Sequence, residues 1–550
     1  MRTRPKSARI ATPAALATAL ATAVATAVAL LACGGVALAE PATGEAARAQ
    51  TAFTLDAHGS PAGAELDPGM QGFSVESADF AHGYLTKELL AERLKTLGPH
   101  GVLRLGGYSM DLVWPAFGPY ADVPAPAQAI GGTVDQADLD GLKKLLDATG
   151  WKVTLGLPLK SLIDQAKLKN PAKDPAPQVA MAQVAEEVRA AHDTLGDDLL
   201  SVEVGNEYDN VTTLTPAEMW NTVKGYRAAI DDALPHAHLR MTGPSANTAL
   251  TNSVIDGFAD AALADGTDAP KRTLAEMASH LYAGSHCGTS NATMPQLLSP
   301  DTYIKARTKL QGIRAIGDKL RHTVPMTLNE SNSASCSGQP GVSDAYGSSL
   351  WALDHLLETA QNGVSRLLFH TNTAAICGDF KPRDSVDYPI SYRYYGAFCA
   401  ADQSQLDSHQ LSAAPLYYGL WAFRQLPEGR FVDLGLPDEA LGKLRAYGIR
   451  GKDGNLHVVL INIQDPAAAD ATDDTVTLRL PHGFRGGRQT TLASSAAGGL
   501  SSLDASAITL GGASVTPAGT ADRAPQSTRL PSDAPITVAP GTAQIITVRP

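Results

Sequence analysis

Cysteine is scarce in this chain, at five residues in 550. None stands at CxxC spacing from another, which excludes a zinc knuckle. There is no HExxH pair, and the remaining Asp and His residues are not at metal-ligand spacing, so neither a metal nor another cofactor is expected. A GxSxG elbow is missing, which removes the Ser–His–Asp hydrolases. No glycine-rich loop opens a helix, which removes phosphate-cradling nucleotide sites. Net positive charge is missing too: the formal net charge is -12. Phosphate binding needs a basic face, so nucleic acid is not an expected partner, and a strongly anionic polymer is disfavoured.

What is present is ordinary globular texture, 44% hydrophobic and 18% charged, with length for a large core. The start resembles an export signal. Arg2, Arg4, Lys6 and Arg9 precede an uncharged stretch over 10–39 that ends in Ala37-Leu38-Ala39, a small-residue cleavage site. Residues 1–39 are therefore expected as a signal peptide and the mature protein as secreted. Leu30–Gly34 also matches a lipoprotein box, which would anchor the chain through Cys33 at the cell surface. A retained membrane anchor is the third alternative.

From 68 to 425 short apolar runs alternate with amphipathic ones. Candidate strands fall at 72–76, 101–105, 151–157, 199–204, 238–242, 276–282, 324–328 and 364–369. Helical patterns follow them. Val184, Val188, Ala191 and Leu195 share one helical face, and Ser299-Pro300 starts another helix before Tyr303, Ala306, Leu310 and Ile313. Eight such units predict a (β/α)8 barrel. Over 426–550 the pattern changes to alternating strands, with Lys452-Asp453-Gly454-Asn455 as a hairpin signal, and predicts a β-sandwich. A short strand within 51–66 precedes the barrel and is expected to join that sandwich.

Barrel active sites lie where the strands end. Gly205-Asn206-Glu207 follows strand four and Leu328-Asn329-Glu330 follows strand seven. Two carboxylates there can flank one glycosidic bond, which predicts a retaining glycoside hydrolase with Glu207 as acid/base and Glu330 as nucleophile. Glu203 is expected in the barrel floor, paired with a basic group. Arg104 either keeps a catalytic carboxylate ionised or forms an interior ion pair. Gly106 and Gly107 allow close backbone approach to a ligand. Glu76 accepts sugar hydroxyls or starts a helix. Tyr282 is placed to donate to Glu330. His280 reads as a satisfied buried histidine, Trp114 as a stacking platform and Trp351 as core.

These residues together resemble glycoside hydrolase family 79, the β-glucuronidase and heparanase family. The resemblance is carried by 202–208 (VEVGNEY), 329–350 (NESNSASCSGQPGVSDAYGSSL) and 415–420 (PLYYGL). It implies catalysis with retention through Glu207 and Glu330, supported by Arg104. It further implies sugar contacts from Asn206, Glu76, Tyr282, Gly107, Asp111, Gly338, Asp387 and Tyr388, and a sandwich that takes in an N-terminal strand. The family binds the sugar carboxylate through tyrosines and backbone amides of two loops. Here one loop reads Ser335-Cys336-Ser337-Gly338, without tyrosine, and the other Asp387-Tyr388-Pro389-Ile390, with Asp387 where a tyrosine is expected. A β-glucuronidase-like activity on a carbohydrate substrate is thus the leading expectation. The alternatives are the same chemistry on a neutral β-xyloside, galactoside or glucoside, and a non-catalytic carbohydrate-binding protein. Outside the leader, four cysteines allow three pairings. The loops after strands six and seven are neighbours in a barrel, so Cys287–Cys336 is expected to brace the rim, leaving Cys377–Cys399.

Overall fold

The computed structural model describes residues 51–550 except 84, 86–87, 172–175, 248–250, 372–393, 403, 406–407, 409 and 532–533. The signal-peptide reading, Cys33 and the contacts expected of Cys377, Asp387 and Tyr388 lie outside the described residues. Among the described residues no helix is long and apolar enough to cross a membrane.

Eight parallel strands close into a barrel, the fold class expected. They are β1 (Gln71–Glu76), β2 (Val102–Gly106), β3 (Lys152–Leu157), β4 (Leu199–Val204), β5 (Met241–Ala246), β6 (Leu274–Ser285), β7 (Met326–Ser335) and β8 (Arg366–His370). Apolar residues such as Val153, Leu155 and Val202 are buried beneath the helix layer. The alternate positions carry small polar groups: Thr154 Oγ1 lies 3.1 Å from Ser201 Oγ, which lies 2.7 Å from Thr242 Oγ1. This polar interior sits below the site.

The expected β5 at 238–242 is corrected to Met241–Ala246. His238 has φ +50°, which belongs to a turn. Pro244 cannot donate to the ladder, yet the barrel accepts it opposite Ala278, next to a register shift. The expected end of β7 at 328 is also early. The strand continues through seven further residues, Asn329–Ser335, whose polarity reads as loop, although all but Ser335 are buried.

The helices behave as their patterns predict. Val184, Val188, Ala191 and Leu195 form the buried face of Met181–Leu195. Ser299 caps Pro300–Lys319 by accepting from the Thr302 N–H at 3.2 Å.

The C-terminal part is a sandwich. A three-stranded sheet holds Thr51–Asp56, Asp474–Arg479 and Ile536–Val538. It packs on a larger sheet that includes Leu444–Gly451, Leu456–Asn462 and Thr542–Arg549, through Leu55, Val458, Leu460, Val476 and Ile546. Successive side chains of a strand face opposite ways. Val459 and Ile461 of the same strand therefore join the barrel core. The N-terminal contribution is two strands where one was expected. Thr51–Asp56 runs parallel to Asp474–Arg479, and Pro61–Leu66 pairs antiparallel with Gly429–Val432 in the other sheet. The second was invisible because Pro61-Ala-Gly-Ala has no apolar alternation and is held by backbone pairing.

One helix residue has no apolar logic. Glu187 is buried within Met181–Leu195, with Oε2 unpartnered. Burial raises its carboxyl from the ordinary 4.5 to about 8. In that interval the unfolded chain loses the proton and the native state keeps it, so stability falls as pH rises from about 4.5 to about 8. Glu187→Gln should flatten this dependence: urea midpoints of wild type and variant should converge near pH 4 and separate at pH 8, with the variant the more stable.

Candidate active site

The site is organised by Arg104, wholly buried at the middle of β2. Its Nε donates to Glu203 at 3.0 Å, Nη1 to Ser74 Oγ at 2.9 Å and to Glu330 at 2.7 Å, and Nη2 to Asn206 Oδ1 at 2.7 Å. Burial would lower the guanidinium pKa, but Glu203 and Glu330 outweigh it and keep the group charged. Arg104 therefore pairs both with Glu203 in the floor and with Glu330.

Glu330 receives a second donor on its other oxygen, the Tyr282 hydroxyl at 2.7 Å. His280 Nδ1 and His370 Nδ1 each stand 3.8 Å from a Glu330 oxygen. Burial would raise the Glu330 carboxyl, yet attraction from His370, His280 and Arg104, with the Tyr282 bond, holds it well below the usual range. Burial and the neighbouring Glu330 push the Tyr282 hydroxyl far upward, so it remains a donor.

Backbone irregularities aim the two carboxylates. The ladder between β6 and β7 passes from the pair Ser279–Leu328 to His280–Glu330, skipping Asn329. Such a bulge turns adjacent side chains to different sides. Asn329 goes to the floor, donating to Glu203 at 2.7 Å and Ser245 at 2.8 Å, while Glu330 enters the cleft. Glu207 has φ +46°, a left-handed conformation that costs a non-glycine residue about 1–3 kcal/mol. Its N–H is fixed to Ser245 O on β5 at 2.9 Å. Glu207 Oε2 accepts from Asn210 at 2.7 Å and Asn247 at 3.4 Å, and Oε1 meets His280 Nδ1 at 2.9 Å. One oxygen each of Glu207 and Glu330 lie within 4.8 Å of each other, with His280 between them. These three side chains could also hold a metal ion, but Glu330 already has the Arg104 charge at hydrogen-bond distance.

A cleft of about 680 Å3 opens over this pair, walled by Glu76, Tyr108, Asn206, Tyr282, His370 and Tyr395 among others. Glu76 does not cap the helix it precedes; its Oε2 accepts from the Ser109 N–H at 2.8 Å, and the residue lines the cleft. The Cys287–Cys336 disulfide is formed and both cysteines line the rim. Cys399 is also disulfide-bonded.

Three expected ligands stand behind the cleft wall. Asp111 is engaged by the Leu159 and Lys160 N–H groups at 2.7 and 2.8 Å, tying the turn after β2 to the loop after β3. Gly107, at φ +68°, leaves room for the Glu76 carboxylate: a Cβ there would meet Oε2 at 2.5 Å. Gly338, at φ +81°, packs under the Tyr395 backbone, and its carbonyl accepts from His286 at 2.8 Å. Trp351 is core, and Trp114 lines a different hollow.

His280 is buried, as expected, and its Nδ1 partner is Glu207, a contact the sequence did not indicate. Residues not foreseen are His370, Tyr395, Asn210, Asn247 and Lys309. His370 was detectable, because it ends the apolar run of β8 as Glu330 follows that of β7. Lys309 reaches in from Pro300–Lys319 to donate to the His280 carbonyl at 2.7 Å. Burial lowers its pKa to about 8, against Asp209 and Glu207.

No protein-family model matches the chain, and no curated protein matches it by sequence. Solved structures do match its fold. A 4-O-α-L-rhamnosyl-β-D-glucuronidase from Fusarium oxysporum is 19% identical, with 90% of this chain and 100% of that one covered and a TM-score of 0.67. A GH51 arabinofuranosidase from Xanthomonas axonopodis pv. citri is 12% identical over 91% and 100%, at 0.59. A GH39 enzyme from the same organism is 15% identical over 93% and 99%, at 0.54. The chain thus has the barrel-and-sandwich fold of glycoside hydrolases.

Arg104→Met would strand Glu203 and Glu330 as buried charges and should cost about 3–5 kcal/mol of stability, read from denaturant midpoints. Adding Glu203→Gln should recover part of the loss, because one of the two stranded charges is then removed.

Proposed function

We propose that this protein is a retaining β-glycoside hydrolase. The observation that carries the reading is that one oxygen of Glu207 and one of Glu330 lie within 4.8 Å of each other at the bottom of an open cleft. Retaining enzymes place the two groups about 5–5.5 Å apart, whereas inverting ones need about 6.5–9.5 Å to admit a water. Glu330, held ionised, attacks the anomeric carbon. Glu207, more exposed and against His280, protonates the leaving oxygen. The C–O bond breaks as the Glu330 ester forms. Glu207 then takes a proton from water, which attacks the same carbon and releases Glu330. Asn206, oriented by Arg104, faces the hydroxyl beside the reacting carbon. Tyr282 limits the basicity of Glu330 and steadies it as a leaving group.

For the sugar we infer a β-glucuronide-like unit, on the family resemblance and on the fold shared with a rhamnosyl-glucuronidase. A neutral β-glycoside is the second reading. It is favoured by the cleft itself, whose described lining includes Glu76, Glu207 and Glu330 but no Lys or Arg.

Hydrolysis of aryl β-glucuronide, glucoside, galactoside and xyloside by wild type and Glu330→Ala tests both. Turnover of at least one substrate should fall by at least about a thousand-fold in the variant; undiminished turnover would refute the site. Cleavage of the neutral substrates alone would select the second reading. Glu207→Ala should keep its first step on an activated aryl leaving group and regain turnover with added azide, giving a β-glycosyl azide. An α-azide would overturn retention.

A further inference from the structure

His280 stands between the two carboxylates, with Nδ1 2.9 Å from a Glu207 oxygen and 3.8 Å from a Glu330 oxygen. A functional histidine is usually oriented by a hydrogen bond at its other nitrogen. Among the described residues none supplies that bond to His280 Nε2, although the atom is buried. The ring is therefore located by the backbone that carries it. That backbone is irregular: β6 shifts register against β7 between Ser279 and His280, and against β5 between Ala278 and Ser279.

At this point a clamp reaches in from the helix layer. Lys309 lies in the middle of Pro300–Lys319 and is only 5% exposed. Its ammonium donates to the His280 carbonyl at 2.7 Å, and Ser279 Oγ donates to the same oxygen at 3.3 Å. The Lys309 carbonyl in turn accepts from the Asn252 amide at 2.9 Å, which ties this turn of the helix to the start of Ser253–Ala264.

Burying an ammonium is costly, and a methionine would fill much the same space without that cost. Here the cost is offset by the His280 carbonyl and by attraction from Asp209 and Glu207. Asp209 accepts from the Asn247 N–H at 3.0 Å, and the Asn247 amide reaches Glu207 at 3.4 Å. The charge thus faces the surroundings of Glu207. We propose that Lys309 is a positioning residue for proton transfer: by clamping the His280 carbonyl it sets the imidazole against Glu207, and so holds the Glu207 carboxyl where the leaving oxygen departs. The inference rests on the glycosidase reading, with Glu207 as the acid, and adds to it a residue behind the cleft.

Leaving-group dependence tests it. Aryl β-glycosides of one sugar, taken from the glucuronide, glucoside, galactoside and xyloside series, are compared with dinitrophenyl and phenyl leaving groups. kcat/KM reports the bond-breaking step, in which a poor leaving group needs the acid and a good one does not. Lys309→Met should lower kcat/KM about ten-fold or more for the phenyl glycoside and less than about two-fold for the dinitrophenyl glycoside, within the roughly 100- to 10,000-fold that general acid catalysis contributes. His280→Ala should show the same selective loss, and adding Lys309→Met to it should cost less than about two-fold more, because residues acting through one another are not additive. Equal loss on both substrates, no loss on either, or full additivity with His280→Ala overturns the role. Lys309→Gln, shorter and uncharged, must show the same pattern, so a folding failure of the methionine variant leaves the test in force. Glu207→Ala separates this inference from the reading beneath it. If that variant loses the phenyl glycoside selectively and Lys309→Met does not, only Lys309 is misassigned. If Glu207→Ala shows no such selectivity, or the wild type cleaves no aryl glycoside, the glycosidase reading fails and the inference with it.

Discussion

The guanidinium of Arg104 is the point on which the interior depends. A buried carboxylate is tolerated only where a partner charge and hydrogen bonds compensate it. Arg104 compensates two, Glu203 below and Glu330 above, and also orients Ser74 and Asn206. Side chains from β1, β2, β4 and β7 thus converge on one planar fork. A lysine would supply the charge but not several donors at fixed angles. The same group therefore balances the charge of the barrel floor and sets the position of Glu330.

Around that fixed centre the chain uses irregular backbone to aim the Glu207 and Glu330 carboxylates. The bulge at Asn329 separates a floor residue from a cleft residue one position apart. The left-handed turn at Glu207 brings its carboxylate towards β6. Both irregularities are secured by neighbours, Ser245 serving each through a different atom: its carbonyl takes the Glu207 N–H and its hydroxyl the Asn329 amide.

Much of this was legible beforehand. Strands one to four, the amphipathic helices, the paired Asn-Glu endings and the rim disulfide all follow from alternation, periodicity and neighbouring loops. What escaped did so for physical reasons. β5 hides behind Gly243-Pro244, and the end of β7 is too polar to read as strand. Pro61–Leu66 is held by backbone pairing, which leaves no side-chain signature. Glu203, Arg104 and Tyr282 could be placed because each lies on a strand whose phase was known. Asp111 and Gly338 could not, since they sit in turns where phase is lost. The partner of His280 was not legible, because a lone histidine on a buried strand gives no sign of what faces it.

The two N-terminal strands bear on the timing of synthesis. Glu65 and Arg430, paired across Pro61–Leu66 and Gly429–Val432, are 365 residues apart. At about 5–20 residues per second, roughly 20 to 70 seconds separate their emergence from a ribosome. During that interval the first strands lack their sheet partners, and Leu55, later buried in the sandwich, remains exposed. The barrel can close while the sandwich waits, so assembly of the second layer is tied to completion of the chain.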